Sequence, residues 1–292
     1  MKGNTSAHIA LITLNLLYAI SYFVIKSVAP NYIGANGFVF IRASGAFLLF
    51  LTVDAFLPKD KVDKKDYKKF VFAALFGVVF NQLSFFNGIT YTAPNYAAII
   101  MTTTPIIVLV ISALYLKEQI TKNKIIGMVL GGIGAVTVIL HNEISKEAPN
   151  PLLGNLLIFS NAANFGFYIV YCKPLIMKYK PFTVLKWVFL PGALILFPIG
   201  LPDLIKSSWE FPLEIWISIL YVVVAITFLT FLLNMFAISK VSPNIATSYI
   251  FLQPFMSAIL SYFINDKIID FYSILASTLI FTGVYYVSFK KA

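Results

Sequence analysis

At 292 residues, 59% hydrophobic and 12% charged, with a mean hydropathy of +0.85, the chain lies outside the range of soluble globular domains. Its composition predicts an all-α polytopic membrane protein with a lipid bilayer as its main partner. A net charge of +10 invites a nucleic-acid reading, which the placement of the charges argues against; the lone Cys172 excludes an intramolecular disulfide and any cysteine-built metal site.

A spanning helix needs about 20 apolar residues for a hydrocarbon core about 30 Å thick. Ten such runs are counted, over 7–27, 36–57, 70–91, 94–116, 123–141, 152–173, 182–200, 213–236, 243–264 and 271–289. The first carries His8, Asn15, Tyr18, Tyr22 and Lys26 at helical spacing, a polar stripe expected to turn from lipid towards protein or water. It has no small-residue cleavage site and reads as a retained helix. Arg42 lies a turn or two inside the second run, where anchoring at the membrane interface is the leading expectation and ligand contact the second one. The segment PKDKVDKKDYKKF after it reads as a solvated charge run.

The third run concentrates Gly77, Asn81, Gln82, Ser84, Asn87 and Gly88, and a short uncharged link joins it to the fourth as an antiparallel hairpin. The fourth adds Thr102, Thr103 and Thr104 before Pro105; their hydroxyls are expected either to bond carbonyls freed by a kink or to contact a solute. The glycines of the fifth run, Gly127, Gly131, Gly132 and Gly134, lack the strand and spacing of a dinucleotide fingerprint. They suit helix packing or a homodimer contact, for which Gly127 and Gly131 are the candidates. HNEISKEAPNP reads as the linker between halves, dividing the chain into 1–146 and 147–292.

The sixth run has a second stripe, Asn161, Asn164, Tyr168 and Tyr171. The seventh contains Pro191 and Pro198 and no amide, the eighth Thr227, Thr230 and Asn234, and the ninth Asn244, Thr247, Phe251 and Gln253. Most of the lysines, from Lys2 through Lys59–Lys69, Lys117–Lys124, Lys173–Lys186 and Lys240 to Lys290 and Lys291, fall on one side of a ten-span arrangement. Glu143, Glu147, Asp203, Glu210, Glu214, Asp266 and Asp270 fall on the other, so the positive-inside rule makes both termini cytoplasmic.

Residues 93–118 return as residues 242–267: a Pro-Asn pair opens each copy, a second proline follows at the same interval (Pro94 to Pro105, Pro243 to Pro254), and a charged pair closes it. An interior proline removes a backbone bond and clashes with the carbonyl four residues back, so Pro105 and Pro254 are predicted to kink their helices at matching depth and act as hinges. Five runs per half is an odd number, which makes the halves an inverted repeat with a substrate site near the midplane. Asn and Gln occur in runs one, three, four, six, eight and nine and are missing from the interiors of two, five, seven and ten. The first group is expected to surround a central space. Its candidate solute contacts are Asn15, Tyr18, Tyr22, Lys26, Asn81, Ser84, Asn87, Thr102, Asn161, Asn164, Tyr168, Thr230, Asn234, Phe251 and Gln253.

The motifs LYAISYFVIK (17–26), FIRA (40–43), NGITYTAPNYAAIIMTTTPI (87–106) and LYLKE ending at Glu118 resemble the ten-helix EamA-type members of the drug/metabolite transporter superfamily, over essentially the whole length. Tyr18-Ala19 stands where the family usually has Trp-Gly. The resemblance implies a transporter of the bacterial inner membrane that exports amino acids or other small metabolites. No phosphate-binding GxxxxGK is present and every Asp and Glu sits at a helix end or in a loop, so neither ATP hydrolysis nor a midplane carboxylate relay is expected, and no cofactor or metal is called for. A membrane enzyme and a non-transporting receptor or scaffold are the alternatives. The enzyme lacks a reactive constellation, since His8 and His141 fall at opposite faces, and the receptor gives the repeat and kinks no purpose.

Overall fold

The computed structural model describes residues 5–28, 32–58, 60–92, 94–141, 149–256, 259 and 271–288, apart from the side chains of 22, 23, 25–27, 94–96, 98, 138–141, 271 and 273. Every regular element among them is helical. After α1 (Thr5–Val28) and α2 (Ala35–Ala55) comes α3 (Lys64–Tyr91), whose middle turn at Leu75–Phe80 widens to π geometry. The next apolar run is split into α4 (Pro94–Met101) and α5 (Thr104–Tyr115), and α6 (Lys122–His141) follows. The same order then returns as α7 (Pro151–Lys178), α8 (Pro181–Lys206), and α9 (Leu213–Lys240) with a π turn at Val222–Leu229. α10 (Pro243–Ser248), a 3-10 turn at Tyr249–Phe251 and α11 (Phe271–Ser288) complete it. Of these, α2, α3, α7, α8 and α9 are long and apolar enough to cross a membrane, with shorter apolar stretches at Thr5–Ser21, Ile99–Tyr115 and Ile274–Ser288.

Local chemistry sets the starts and the breaks. Asn150 caps α7 by accepting the Leu153 N–H at 3.2 Å, Ser242 caps α10 through Ile245 at 3.4 Å, and each cap is followed by a proline that needs no hydrogen bond. At the first break, the N–H groups of Thr102 and Thr103 reach back only three residues, to Ile99 and Ile100, at 3.1 and 3.0 Å. Their hydroxyls bond the same two carbonyls at 2.6 and 2.7 Å, so both groups are satisfied inside the break, while Pro105, without an N–H, offers no donor to the Met101 carbonyl four residues back. In the second copy the chain tightens to the 3-10 turn just before Pro254, and residues 252–256 resume the α-helix. Proline alone does not do this, because α7 passes through Pro174 and α8 through Pro191, Pro198 and Pro202 uninterrupted.

The halves interlock. α3 packs on α7 as α9 packs on α1, while α2 meets α8, α6 meets α11 and α5 meets α10, a pattern unchanged when the two halves are exchanged. The α6–α11 contact gives the α6 glycines the helix-packing role that was one of the two expectations for them. A Cβ at Gly127 would come within 2.6 Å of the Gly283 carbonyl oxygen, and one at Gly283 within 2.7 Å of the Gly127 oxygen. Gly127 and Gly131 are therefore packed from within the chain, with Phe251 against Gly131.

For the charge run after α2 the expectation needs correcting: Lys61, Lys64, Lys65, Lys68 and Lys69 are exposed, but its acids dock on the α7–α8 turn. Asp66 is buried and accepts from Lys178 and the Tyr179 hydroxyl, both at 2.7 Å, while Asp63 pairs with Lys178 and Asp54 with Lys186. Asp60 accepts the Lys180 N–H at 2.8 Å and the Thr183 hydroxyl at 3.0 Å, capping the start of α8. The expectation of full solvation missed that acids and lysines alternate here, so the carboxylates turn inward to cations of the other half. At the opposite end Asp203 accepts the N–H groups of Asn36 and Gly37, both at 3.1 Å, against the positive start of α2.

Burial is the largest single influence on Asp60 and raises its pKa, but the Lys180 N–H, the Thr183 hydroxyl and the Lys180 ammonium together outweigh it and hold the carboxyl below its ordinary value. A depressed folded pKa contributes stability above the unfolded value, about 4, that is lost as pH falls through the folded one. Asp60→Asn is therefore expected to lower the apparent melting temperature in detergent at pH 7, with the gap from wild type held down to about pH 5 and closing as pH falls below about 4; a gap independent of pH refutes this. Gly283→Leu is expected to destabilise by about 1–3 kcal/mol or more through overpacking. Gly132→Ala, whose nearest neighbouring atom would be 3.9 Å away, should melt as wild type does.

Candidate functional site

A cavity with an empty volume of about 930 Å³, its open mouth included, lies where the two halves meet. α1 contributes Leu14, Asn15, Tyr18 and Ser21, and α2 contributes Arg42 alone. α3 gives Asn81, Gln82, Phe85 and Phe86 from the turn directly after its π segment, and α4 gives Met101 at the helix break. From the second half come Asn161 and Phe165 of α7, Ile226, Phe231 and Asn234 of α9, and Ala246, Thr247, Ile250 and Gln253 from α10 and the turn beyond it. Among the described residues, α6, α8 and α11 supply no wall.

The polar side chains are held by contacts that cross between halves. Asn81 donates to the Asn161 carbonyl at 3.3 Å and Asn161 returns a bond to the Asn81 carbonyl at 2.8 Å. Gln253 donates to Asn15 Oδ1 at 2.8 Å, while Asn15 Nδ2 bonds the Leu11 carbonyl of its own helix at 2.7 Å. Arg42 Nε donates to Thr227 Oγ1 at 3.1 Å, and its guanidinium carbon lies 4.6 Å from the centre of the Phe86 ring. Thr227 in turn bonds the Val222 carbonyl five residues back, in the π turn. A wider turn leaves carbonyls free of the regular ladder, which is how such segments come to serve sites.

Several side chains remain uncommitted. Both amide atoms of Gln82, Oδ1 of Asn161 and Oδ1 of Asn234 are buried and have no partner. Nothing acidic lines the cavity among the described residues, and no described group of three or more His, Cys, Asp or Glu is placed to hold a metal ion. Among the described residues the arrangement offers hydrogen bonds and the charge of Arg42 to a small solute.

Of the residues singled out by sequence, Asn15, Tyr18, Asn81, Asn161, Asn234 and Gln253 come together at this cavity. Others do not. Tyr168 is fully buried against Gly77 and Phe231, with its hydroxyl 4.0 Å from Met235 Sδ. Phe251 packs on Gly131, Thr230 bonds the Ile226 carbonyl at 2.6 Å, and the Thr102 hydroxyl is spent on the helix break. Ser84 and Asn164 both meet Ser160, at 3.4 and 3.1 Å, and Asn87 joins Asn36 at 2.9 Å near the end opposite the lysines. The side chains of Tyr22 and Lys26 lie outside the described residues. Each misplaced residue satisfies a local backbone or helix–helix demand that run-by-run polarity does not distinguish from a cavity wall.

Arg42 is the main residue that sequence reasoning placed elsewhere. It is 6% exposed and sits in the cavity wall. The available signal was a cation inside an apolar run with no acid one turn away. Ser21, Gln82 and the rings of Phe85, Phe86, Phe165 and Phe231 were likewise not singled out as contacts, and only the fold gathers them.

Comparison with known proteins agrees with this architecture. The model of the EamA-like transporter family matches residues 5–140 and again 152–289. An uncharacterized transporter of Archaeoglobus fulgidus is 25% identical over 79% of this chain and 81% of its own length. The uncharacterized transporter YetK of Bacillus subtilis is 24% identical over 88% and 78%, and the plant protein WALLS ARE THIN 1 of Arabidopsis thaliana is 24% identical over 98% and 83%. A protein crystal structure with 14% sequence identity superposes with a TM-score of 0.79 over 98% of this chain and 99% of that one, a likeness of fold. With a family match on each half, a helical fold of apolar segments and a polar hollow between the halves, the chain belongs to the EamA-like transporter family of multi-pass membrane transporters.

Proposed function

We propose that the protein is a secondary transporter that exports amino acids or similar neutral or zwitterionic metabolites across the plasma membrane, in a bacterial cell the inner membrane, by alternating access. On this reading the ten apolar runs are ten membrane crossings, residues 1–146 and 147–292 are repeats of inverted topology, and both termini are cytoplasmic. The lysine-rich end supports that orientation, and the exchange-symmetric packing of the helices supports the paired repeats. Pro105 and Pro254 are the proposed hinges, each beside a break in its helix. Tyr22 and Lys26 remain proposed contacts at the mouth opposite the lysine-rich end.

The observation that carries the reading is the uncommitted hydrogen-bonding capacity of Gln82, Asn161 and Asn234 in a hollow shared by both halves. Leaving a buried amide unpartnered costs about 1–3 kcal/mol, a cost relieved when a solute supplies the partner. The absence of acids from the described cavity wall favours facilitated diffusion or weakly proton-coupled exchange over a carboxylate relay.

Proteoliposomes loaded with a panel of radiolabelled amino acids provide the test. Wild-type protein is expected to release at least one, and Asn15→Ala and Asn161→Ala to slow that release at least fivefold; both variants matching wild type for every solute carried would sink the amide-lined pathway. Gln82→Met, which replaces an unpartnered amide by an apolar group of similar shape, is expected to leave the apparent melting temperature unchanged or raise it while weakening solute-dependent stabilisation. A lower melting temperature with full solute response counts against the role of Gln82.

A further inference from the structure

Resting on the transport reading, we infer that Arg42 is the specificity-determining residue of the cavity: it receives the carboxylate of a solute whose remaining body is apolar. A guanidinium among apolar side chains is costly unless an anion or several acceptors satisfy it. Arg42 has one protein acceptor, the Thr227 hydroxyl at 3.1 Å on Nε, and one aromatic face, Phe86. Among the described residues no carboxylate pairs with it, in contrast to Lys186 with Asp54 and Lys178 with Asp66. With Nε held, the two terminal nitrogens are left to the cavity that Arg42 lines, and these form the planar fork that accepts a carboxylate through two parallel hydrogen bonds.

The surroundings narrow the solute further. Among the described residues one positive group, Arg42, faces walls made of Leu14, Phe85, Phe165, Ile226 and Phe231, so a carboxylate on an apolar body is matched. Asn161 and Asn234 line the same hollow, and their unpartnered Oδ1 atoms are acceptors, suited to an ammonium group. An α-amino acid with an apolar side chain uses all three features. The second half has no arginine in its corresponding run, α8, so the anion site is single and breaks the symmetry of the repeat.

The test compares acids with their carboxamides. In wild-type proteoliposomes, unlabelled L-leucine and L-phenylalanine are expected to compete with radiolabelled L-leucine at concentrations at least tenfold below L-leucinamide and L-phenylalaninamide. In Arg42→Gln the acid and amide should differ by less than twofold, and Arg42→Lys, which keeps the charge without the fork, should restore part of the preference. Melting curves of each variant verify folding, and the wild-type comparison stands without them. Wild-type protein that carries amides as well as acids, or Arg42→Gln that retains the preference, overturns the assignment while leaving transport intact. Wild-type protein that carries no member of a broad solute panel overturns the transport reading and this inference with it.

Discussion

The structure depends on a small number of polar bonds made in an apolar interior. Asn81 with Asn161, Asn15 with Gln253 and Arg42 with Thr227 each join one half of the chain to the other, and all of these residues but Thr227 line the same hollow. Water is scarce in such surroundings, so an amide that loses its partner has no ready substitute. These bonds therefore fix which faces of α1, α3, α7 and α9 turn inward. They also stop short of satisfying every group, and the remainder is what the cavity presents to a solute.

Outside the hollow the halves meet in two different ways. At the lysine-rich end, carboxylates following α2 grip the α7–α8 turn, and Glu118 accepts from Asn244 at 2.7 Å as well as from Lys124 at 3.1 Å. Away from the hollow, α6 and α11 meet backbone to backbone through Gly127, Gly131 and Gly283, a contact of shape with no charge in it. Between these lie the irregular turns: π segments at equivalent places in α3 and α9, and breaks ahead of Pro105 and Pro254. All four abut cavity residues, so the places where helix geometry is least regular are the places where the walls are built.

How much of this could be read beforehand varies from residue to residue. The stripe on α1 was legible because 3.6-residue spacing puts Asn15 and Tyr18 on one face whatever that face meets. The break at Thr102–Thr103 was legible because Pro105 lacks an N–H, yet Pro191 and Pro198 have the same defect and α8 absorbs them. Tyr168 and Thr230 looked like cavity residues by the same polarity argument that correctly placed Asn161 and Asn234. The π turns gave no signal, since VVVAITFL and LFGVVF are ordinary apolar sequence.

The sequence by itself determined the class of protein, the two-copy organisation, the breaks before the paired prolines and the set of helices with amides to hide. Those follow from composition, periodicity and the covalent chemistry of proline, which act within a few residues. Only the tertiary structure decided which amides face the hollow, that Arg42 is buried there without an acid, that the acids after α2 are docked, and that the α6 glycines serve α11. Each of these is a contact between residues far apart in the chain, and its sign depends on what the partner helix places opposite, which no local pattern encodes.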